Sequence, residues 1–391
     1  MSGSDSVQIG IGKSGRRAYG FDELAIVPSR RTRDPEDVSI AWEIDAYRFE
    51  LPMVASAMDG VMSPDSCVAV GRLGGLGVLD LEGVWTRYDD PEPILAEIAE
   101  LPVDNALARM REMYAEPVKP DLITARVKQI RDSGVTVAAS LTPQRTVQFA
   151  QTVLDAGVDL FVIQGTVVSA EHVSTRHEPL NLKRFIADLD VPVLVGGCAT
   201  YQTALHLMRT GAAGIMVGVG AGQANTTRGV LGIGVPMGTA IADAAGARRD
   251  YLDESGGRYV HVIADGGMRT GGDIAKAIAC GADAGMMGSP LARATEAPGR
   301  GWHWGHGSHH PEVPRGTRVR VEPVGTLEQV LLGPALTDDG TTGLFGALRR
   351  AMALTGYSSI KEFQRVEVMV APTIQTEGKS LQRDQSVGMA H

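Results

Sequence analysis

The segment IACGADAGMMGS, at residues 278–289, contains the pattern that decides the fold. A helical stretch ends at Gly281, two residues follow, and an apolar run begins. The same pattern recurs in RDSGVTVAASL (131–141), LDAGVDLFVIQG (154–165) and MRTGAAGIMVGVG (208–220). Each glycine stands where the residue after a helix adopts the left-handed conformation. The apolar runs are continuous rather than alternating, which predicts parallel strands buried on both faces.

Four further apolar runs bring the number of predicted strands to eight. They are LPMVASAM (51–58), GGLGVLD (74–80), VPVLVGG (191–197) and RYVHVIADGG (258–267). Eight parallel strands with helices between them form either a closed barrel or an open doubly wound sheet. Glycines and other small residues crowd nearly every strand end. This crowding favours an α/β fold of the TIM (β/α)8 barrel type, with its site in the loops that follow the strands.

The chain length of 391 residues suits one barrel domain with insertions, which we predict over residues 1–376. The longest insertion, 81–133, has apolar residues at helical spacing and predicts a small helical excursion. Residues 293–345 are rich in Gly, Pro and His and predict a flap-like loop. The polar tail, 377–391, is predicted to be disordered.

Composition excludes several classes of partner and compartment. The net charge of −9 argues against nucleic acid or an anionic membrane as a partner. Three cysteines (Cys67, Cys198 and Cys280) are too few for a disulfide framework and indicate a reducing compartment. Because the chain has neither an apolar run of roughly 18 residues nor an apolar leader segment, we expect a cytoplasmic protein.

The end of the seventh predicted strand has the features of a ligand site. In IADGGMRTGGDIAKA (263–277), Asp265 stands at the strand end and is followed by Gly266 and Gly267. Barrels commonly bind phosphate on backbone N–H groups in the loops after their seventh and eighth strands. Glycine lets the backbone approach a phosphate closely, and a carboxylate at Asp265 accepts hydrogen bonds from two ribose hydroxyls.

The end of the eighth predicted strand repeats this arrangement. In MMGSPLA (286–292) the strand ends at Gly288 and Ser289, whose hydroxyl donates to a phosphate. The two segments together predict a nucleotide phosphate site, with tight turns alone as the alternative reading of the glycines. The loop after the sixth strand, in 217–237, is also glycine-rich, but it has the spacing of neither a P-loop nor a dinucleotide turn.

These segments, in this order, resemble the motifs of the IMP dehydrogenase/GMP reductase family over roughly residues 15–370. The similar stretches are ASAMDGVM (55–62), GGLGVL (74–79), VGVGAGQANTTR (217–228), IADGGMR (263–269), GDIAKAIACGADAGMMGS (272–289), EAPG (296–299) and LFGALRRAMALTGYSSIKEFQ (344–364). Most IMP dehydrogenases carry a pair of CBS modules where this chain has its insertion. The insertion is too short for them, as in GMP reductase and in shorter IMP dehydrogenase-related proteins.

The resemblance implies that a purine mononucleotide (IMP, XMP or GMP) binds as part of guanine nucleotide metabolism, including GMP biosynthesis. It also implies a homo-oligomer, either a tetramer or an octamer. The positions that match the family's nucleotide-binding residues are Ser56 and Met58 for base and phosphate, Asp265 for the ribose, and Gly266, Gly267, Gly288 and Ser289 for the phosphate.

The positions that match the family's chemistry are altered. In that family a cysteine thiolate attacks C2 of IMP and hydride passes to NAD, and GMP reductase runs a related reaction with NADPH. Asn225 stands at the position of that cysteine, with Thr227 as the second candidate catalytic residue of the motif. An amide has no thiolate-like reactivity, so the sequence puts classical IMP oxidation in doubt.

The resemblance also implies NAD or NADP as a cofactor and a monovalent cation, K+. The cofactor candidates are Gln164, where the family has an aspartate beside the nicotinamide riboside, and Gly218 and Gly220. The cation candidates are the carbonyl groups of Gly220 and Gly222. The chain has no Arg-Tyr dipeptide in its flap-like loop, which the family uses to activate water.

Four histidines cluster in WHWGHGSHH (302–310). A metal site needs ordered geometry and supporting partners, so in a glycine-rich loop we expect an exposed or oligomer-facing segment instead. Three functions remain open from the sequence. The first is an NAD-linked oxidoreductase, including a GMP reductase-like enzyme. The second is a catalytically inactive nucleotide-binding regulator or assembly partner, and the third is an unrelated barrel enzyme acting on another phosphorylated substrate.

Overall fold

The computed structural model describes residues 6–175, 178–371 and 379–387. All eight predicted strands are present and form one parallel sheet. They are β1 (Met53–Ala55), β2 (Val78–Asp80), β3 (Ala138–Leu141), β4 (Leu160–Gln164), β5 (Val193–Cys198), β6 (Gly214–Val217), β7 (His261–Asp265) and β8 (Ala284–Met287). β8 pairs with β1, and a parallel contact between Val54 and Leu76 joins β1 to the β2 edge. The sheet thus closes on itself, and the predicted TIM barrel is confirmed.

Fifteen α-helices lie between or after the barrel strands in the described part of the chain. They are α1 (Pro64–Arg72), α2 (Glu92–Glu100), α3 (Val103–Met113), α4 (Pro120–Arg131), α5 (Pro143–Asp155), α6 (Leu182–Ala187), α7 (Tyr201–Met208), α8 (Thr227–Leu231), α9 (Met237–Glu254), α10 (Gly271–Ala279), α11 (Ser289–Ala292), α12 (Leu327–Leu331), α13 (Leu344–Leu354), α14 (Ile360–Phe363) and α15 (Ser380–Asp384). In the recurring pattern, Gly281 has φ +116° directly after α10 and its capping residue. The left-handed conformation predicted there from the sequence is confirmed.

A short hairpin closes the barrel at the amino ends of the strands. Its strands are Trp42–Ile44 and Tyr47–Phe49, which pair antiparallel. Trp42 and Phe49 are buried and pack with side chains of the barrel strands, such as Leu160. This hairpin and the apolar interior fill the barrel, and the predicted site residues lie at the opposite end, where the strands finish.

Three more strand pairs lie outside the barrel. They are Ser6–Gly10 with Lys13–Arg16, Leu24–Ile26 with Val368–Val370, and Trp302–His303 with Val319–Arg320. All three pairs are antiparallel, and the last belongs to the segment predicted as a flap-like loop.

The two irregular segments of the chain are packed together. Helices α2, α3 and α4 lie in the insertion at 81–133. Arg318, from the flap-like segment, donates hydrogen bonds to the backbone carbonyls of Ile98 and Leu101. In the tail predicted to be disordered, the described residues 379–387 include helix α15, while 377, 378 and 388–391 lie outside the described residues. In the described part of the chain no helix is long and apolar enough to cross a membrane.

Candidate functional site

A cavity of about 210 Å³ opens at the carboxyl ends of the barrel strands. Its walls are the loops after β1, β3, β4, β6, β7 and β8, together with part of the segment 303–316. All but one of the residues predicted for the site line this cavity: Ser56, Met58, Gln164, Gly218, Gly220, Gly222, Asn225, Asp265, Gly266, Gly267, Gly288 and Ser289. The closed barrel brings them together because parallel strands present all their carboxyl ends at one face.

The loop after β7 requires its glycines. Gly266 and Gly267 have φ near +80°, and a Cβ on Gly266 would lie 2.9 Å from the backbone N of Gly222. The loop after β6 therefore packs directly on the loop after β7, and this contact leaves no room for a side chain at Gly266. The backbone of both loops is exposed to the cavity at this point.

Ser289 contacts His303, which belongs to the histidine-rich segment expected to be exposed. Its Oγ lies 3.1 Å from Nδ1 of His303, which is only 2% exposed. Burial lowers the pKa of His303 to about 4, so the ring is neutral at pH 7. Its Nε2 has no hydrogen-bond partner among the described residues, and the ring lines the cavity beside Gly288. His303 is therefore a further polar group at the predicted phosphate site.

Asp265 shares the cavity with Gln164. The Gln164 Nε2 donates to Asp265 Oδ2 over 3.3 Å. Burial raises the pKa of Asp265 to about 6, with the Gln164 hydrogen bond acting in the opposite direction. The carboxylate is thus held in place by a neutral amide, and its second oxygen is left for a ligand.

The altered nucleophile position is engaged with the backbone. Asn225 is exposed, and its Oδ1 accepts a hydrogen bond of 2.8 Å from the Thr227 N–H. Thr227 is fully buried, packs close to Gly220 and does not line the cavity. The start of α8 directs the Thr227 side chain into the protein, and its catalytic role stays a prediction that this position does not favour.

No thiol lies on the described cavity wall. Cys67 and Cys198 are each 1% exposed, and Cys280 is partly buried near the end of α10. Burial raises the pKa of all three thiols, to about 12 for Cys198 and about 11 for Cys280. None of them replaces the missing nucleophile.

Two of the four clustered histidines, His303 and His306, line the cavity, so the expectation of an exposed or oligomer-facing loop is wrong for these two. His306 lines the cavity, with its Nε2 2.8 Å from Asp80 Oδ2 at the end of β2. His309 stacks on Tyr114 of the helical insertion, with ring centroids 3.6 Å apart. Partners distant in the chain hold these rings, and the sequence of the loop gives no sign of them. Among the described residues, no group of side chains is suited to hold a metal ion.

The segment after the histidines closes one side of the cavity. Thr317 N–H donates to the Ala224 carbonyl over 2.9 Å, and Thr226 N–H donates to the Arg315 carbonyl over 2.8 Å. The Arg315 guanidinium donates to Thr166 Oγ1, just beyond β4. This segment therefore links the loop after β6 to the loop after β4.

The glycines predicted for a cofactor and a cation are explained by contacts within the protein. A Cβ on Gly218 would lie 2.1 Å from the Asp265 carbonyl oxygen, and one on Gly220 would lie 3.0 Å from Arg228 Cγ. The Gly222 carbonyl already accepts the Asn225 N–H over 3.0 Å. The cofactor role of Gly218 and Gly220 and the cation role of the Gly220 and Gly222 carbonyl groups stay predictions.

The fold and the site together define a TIM barrel with a ligand cavity lined by glycine-rich loops after its sixth, seventh and eighth strands. The sequence model of one protein family, described as the IMP dehydrogenase / GMP reductase domain, matches residues 18–310. The chain therefore belongs to the IMP dehydrogenase / GMP reductase family.

Similar proteins are found among curated sequences and solved structures. A protein of Mycolicibacterium smegmatis named as an uncharacterized oxidoreductase is 52% identical over 93% of this chain and 99% of its own length. The inosine-5'-monophosphate dehydrogenase of Methanocaldococcus jannaschii is 26% identical over 93% of this chain and 94% of its own. The crystal structure of an IMP dehydrogenase/GMP reductase-like protein from Corynebacterium glutamicum has a TM-score of 0.89 and 48% identity, and covers 94% of this chain and 98% of its own.

Proposed function

We propose that this protein binds a purine 5'-mononucleotide, IMP, XMP or GMP, in the cavity at the carboxyl end of the barrel. The phosphate lies on the backbone of Gly266, Gly267 and Gly288 and on the Ser289 hydroxyl, and Asp265 accepts from the ribose hydroxyls. The observation that carries this proposal is that the Asp265 carboxylate and both glycine-lined loops face one cavity. The chain's net charge of −9 makes a local arrangement of this kind necessary for any anionic ligand.

The same site argues against thiol-dependent oxidation of IMP and against GMP reductase chemistry. Both reactions need a covalent bond between a thiolate and C2 of the purine, and loss of the nucleophile removes the two-step path. Asn225 is bonded to Thr227, and no described cavity residue is a cysteine. We therefore propose a nucleotide-binding regulator or assembly partner in guanine nucleotide metabolism, acting in the cytoplasm as a tetramer or octamer.

A second candidate is an oxidoreductase that uses NAD or NADP, with or without K+, through a group other than a thiol. The observation that favours it is the name oxidoreductase carried by relatives that are 52% identical to this chain. The cavity residues predicted for the cofactor do not favour it, because Gln164 faces Asp265.

Calorimetric titration with IMP, XMP and GMP tests the binding proposal. We expect binding of at least one of them by the wild type, and a loss of about tenfold or more in affinity in Asp265→Ala, because a buried ligand hydroxyl then lacks its acceptor. Asp188→Ala, an exposed position beside α6, is the matched control and should bind normally. Binding of ribose 5-phosphate but of no purine nucleotide would instead support an unrelated barrel enzyme.

A turnover assay separates the two candidate functions. The protein is mixed with IMP and NAD, and with GMP and NADPH, with and without K+, and the nicotinamide absorbance is followed. Nucleotide binding without any absorbance change supports the binding protein. A steady change that Asp265→Ala abolishes supports the oxidoreductase.

A further inference from the structure

The cavity wall carries more cationic than anionic side chains, although the chain as a whole has a net charge of −9. Asp265 is the carboxylate on the described wall, whereas Arg269, Arg315 and His306 supply positive charge. Arg269 follows the phosphate-type loop after β7 and lies 3.6 Å from Asp22. The other two cationic side chains are not part of that loop, and the proposed phosphate site does not account for them.

Arg315 lies across the cavity from the phosphate loops, and His306 lies at the end of β2, midway between β4 and β8 in the closed order of strands. Arg315 bonds to Thr166, just after β4, and His306 bonds to Asp80, at the end of β2. In the closed order of strands, β4 lies across the barrel from β8. A nucleotide whose phosphate lies on the loops after β7 and β8 therefore directs its base toward this side.

The guanidinium of Arg315 has more hydrogen-bond donors than the described residues provide acceptors for. Its guanidinium donates to the neutral hydroxyl of Thr166, its Nε is buried without a partner, and it forms no ion pair with any described residue. A guanidinium that is partly removed from water without a counter-charge is costly. A ligand that brings an electron-rich acceptor to this position would remove that cost.

His306 is a second donor on the cavity wall. Burial opposes its charge, but the ion pair with Asp80, together with Glu82 and Asp59, raises the pKa of His306 to about 9. Asp80 itself is 4% exposed and accepts the Glu82 N–H over 2.9 Å. In the protonated ring both nitrogens donate. Since Nε2 is bonded to Asp80, Nδ1 is left to donate to a ligand.

We propose that the cavity selects a 2,6-dioxopurine nucleotide, of which XMP is the representative, through Arg315 and His306. Both side chains donate only, so they match carbonyl oxygens at C2 and C6. The amino group of GMP at C2 or of AMP at C6 would place donor against donor. The dioxo ring is also the most acidic of these bases, so its anion is favoured beside two cations. This inference rests on the proposed function.

The test compares the affinities of XMP, IMP, GMP and AMP for the wild type and for variants by calorimetry. We expect the wild type to bind XMP at least about tenfold more tightly than GMP. The affinity for IMP should lie between these two, and AMP should bind most weakly. Arg315→Gln and His306→Gln should each weaken XMP binding by about tenfold and GMP binding by threefold or less. The exposed residues supply matched controls, Arg320→Gln and His206→Gln, which should leave all four affinities unchanged.

The outcomes distinguish this inference from the proposed function. Similar affinities for XMP, IMP and GMP that do not respond to either substitution overturn the inference and leave the proposed function intact. No binding of any nucleotide overturns both. Arg315→Lys is a second variant that keeps the positive charge, in case Arg315→Gln does not fold. We expect it to retain part of the preference for XMP. A folded Arg315→Lys protein without any preference for XMP would contradict the role of this charge.

Discussion

The side-chain oxygen of Asn225 accepts a hydrogen bond of 2.8 Å from the backbone N–H of Thr227. This bond satisfies a backbone donor at the first residue of α8, where the helix itself provides no acceptor. The residue at the family's nucleophile position therefore has a structural function in this chain. The local backbone orients its amide.

Replacing Asn225 with cysteine should introduce a reactive thiol without starting IMP oxidation. We expect Asn225→Cys to lose about 1 kcal/mol of stability with its hydrogen bond. It should gain one site for iodoacetamide, because position 225 is exposed. NAD reduction with IMP should stay undetectable, since Gln164 remains bonded to Asp265 and Arg315 to Thr166. Labelling by mass spectrometry and the nicotinamide absorbance check this.

The wild type is the control for that experiment. Its Cys67 and Cys198 are buried, and burial raises the pKa of both thiols, so neither should be labelled in the folded protein. Rapid NAD reduction by Asn225→Cys would contradict the prediction and show that the rest of the site is competent for the family's chemistry.

Asp265→Asn should make the ligand-free protein more stable and the nucleotide complex weaker. The raised pKa of Asp265, about 6, means that its charge is unfavourable in the folded state at pH 7. The stabilising effect of the protonated group is present below its ordinary pKa of 3.8 and is lost as the pH rises through about 6. The amide removes this penalty, so we expect a gain of about 1 to 3 kcal/mol at pH 7 and little at pH 4. Urea unfolding at both pH values measures it.

The same variant should bind IMP or XMP about tenfold less tightly, because an amide is a weaker acceptor than a carboxylate for the ribose hydroxyls. Asp188→Asn at an exposed position controls for the general effect of removing a charge. An Asp265→Asn variant that is destabilised at pH 7 would contradict the prediction and show that contacts of the carboxylate, such as the Gln164 hydrogen bond, outweigh the cost of burying its charge.

Two glycines in one segment should respond oppositely to alanine. Gly266 has φ +80° and no room for a Cβ, so Gly266→Ala should cost about 2 kcal/mol and displace the loop after β6. Gly272 lies in the first turn of α10 without positive φ, and its added Cβ would meet only Thr270 Oγ1, at 3.6 Å. Gly272→Ala should therefore stabilise the protein by about 0.5 to 1 kcal/mol.

Thermal or urea unfolding compares the two alanine variants, and calorimetry compares their nucleotide binding. Only Gly266→Ala should lose affinity for IMP or XMP, because only that substitution moves the backbone of the predicted phosphate loop. Equal stability of the two variants would mean that the loops after β6 and β7 are not in close contact.

His303 should make the protein sensitive to acid. Burial holds its pKa at about 4, below its ordinary value of 6.5. The neutral ring therefore contributes stability that is fully present above pH 6.5 and is lost as the pH falls through about 4. As the pH falls from 6.5 to about 4, the free energy of unfolding of the wild type should decrease by roughly 3 kcal/mol more than that of His303→Gln. Urea unfolding measured across this range provides the comparison.

The exposed His206 gives the matched control, and His206→Gln should follow the wild type at every pH. Curves for the wild type and His303→Gln that remain parallel from neutral to acid pH would contradict the burial of a neutral ring beside Ser289.

By itself the sequence determined the barrel and one half of the site. Glycines such as Gly281 end a helix and precede a continuous apolar run. This local pattern predicts both the strands and their parallel direction. Once the strands are parallel, their carboxyl ends meet at one face. The position of Asp265 beside Gly266, Gly288 and Ser289 therefore follows from the chain order of the strands.

Only the tertiary structure decided the other half. His303, His306 and Arg315 come from an irregular segment, and their partners Ser289, Asp80 and Thr166 are 14, 226 and 149 residues away in the chain. Such contacts depend on how the segment packs across the barrel mouth, and no periodicity of the local sequence encodes that packing. For this reason the sequence predicted exposed histidines. The tertiary structure was needed to place the cationic side chains on the cavity wall.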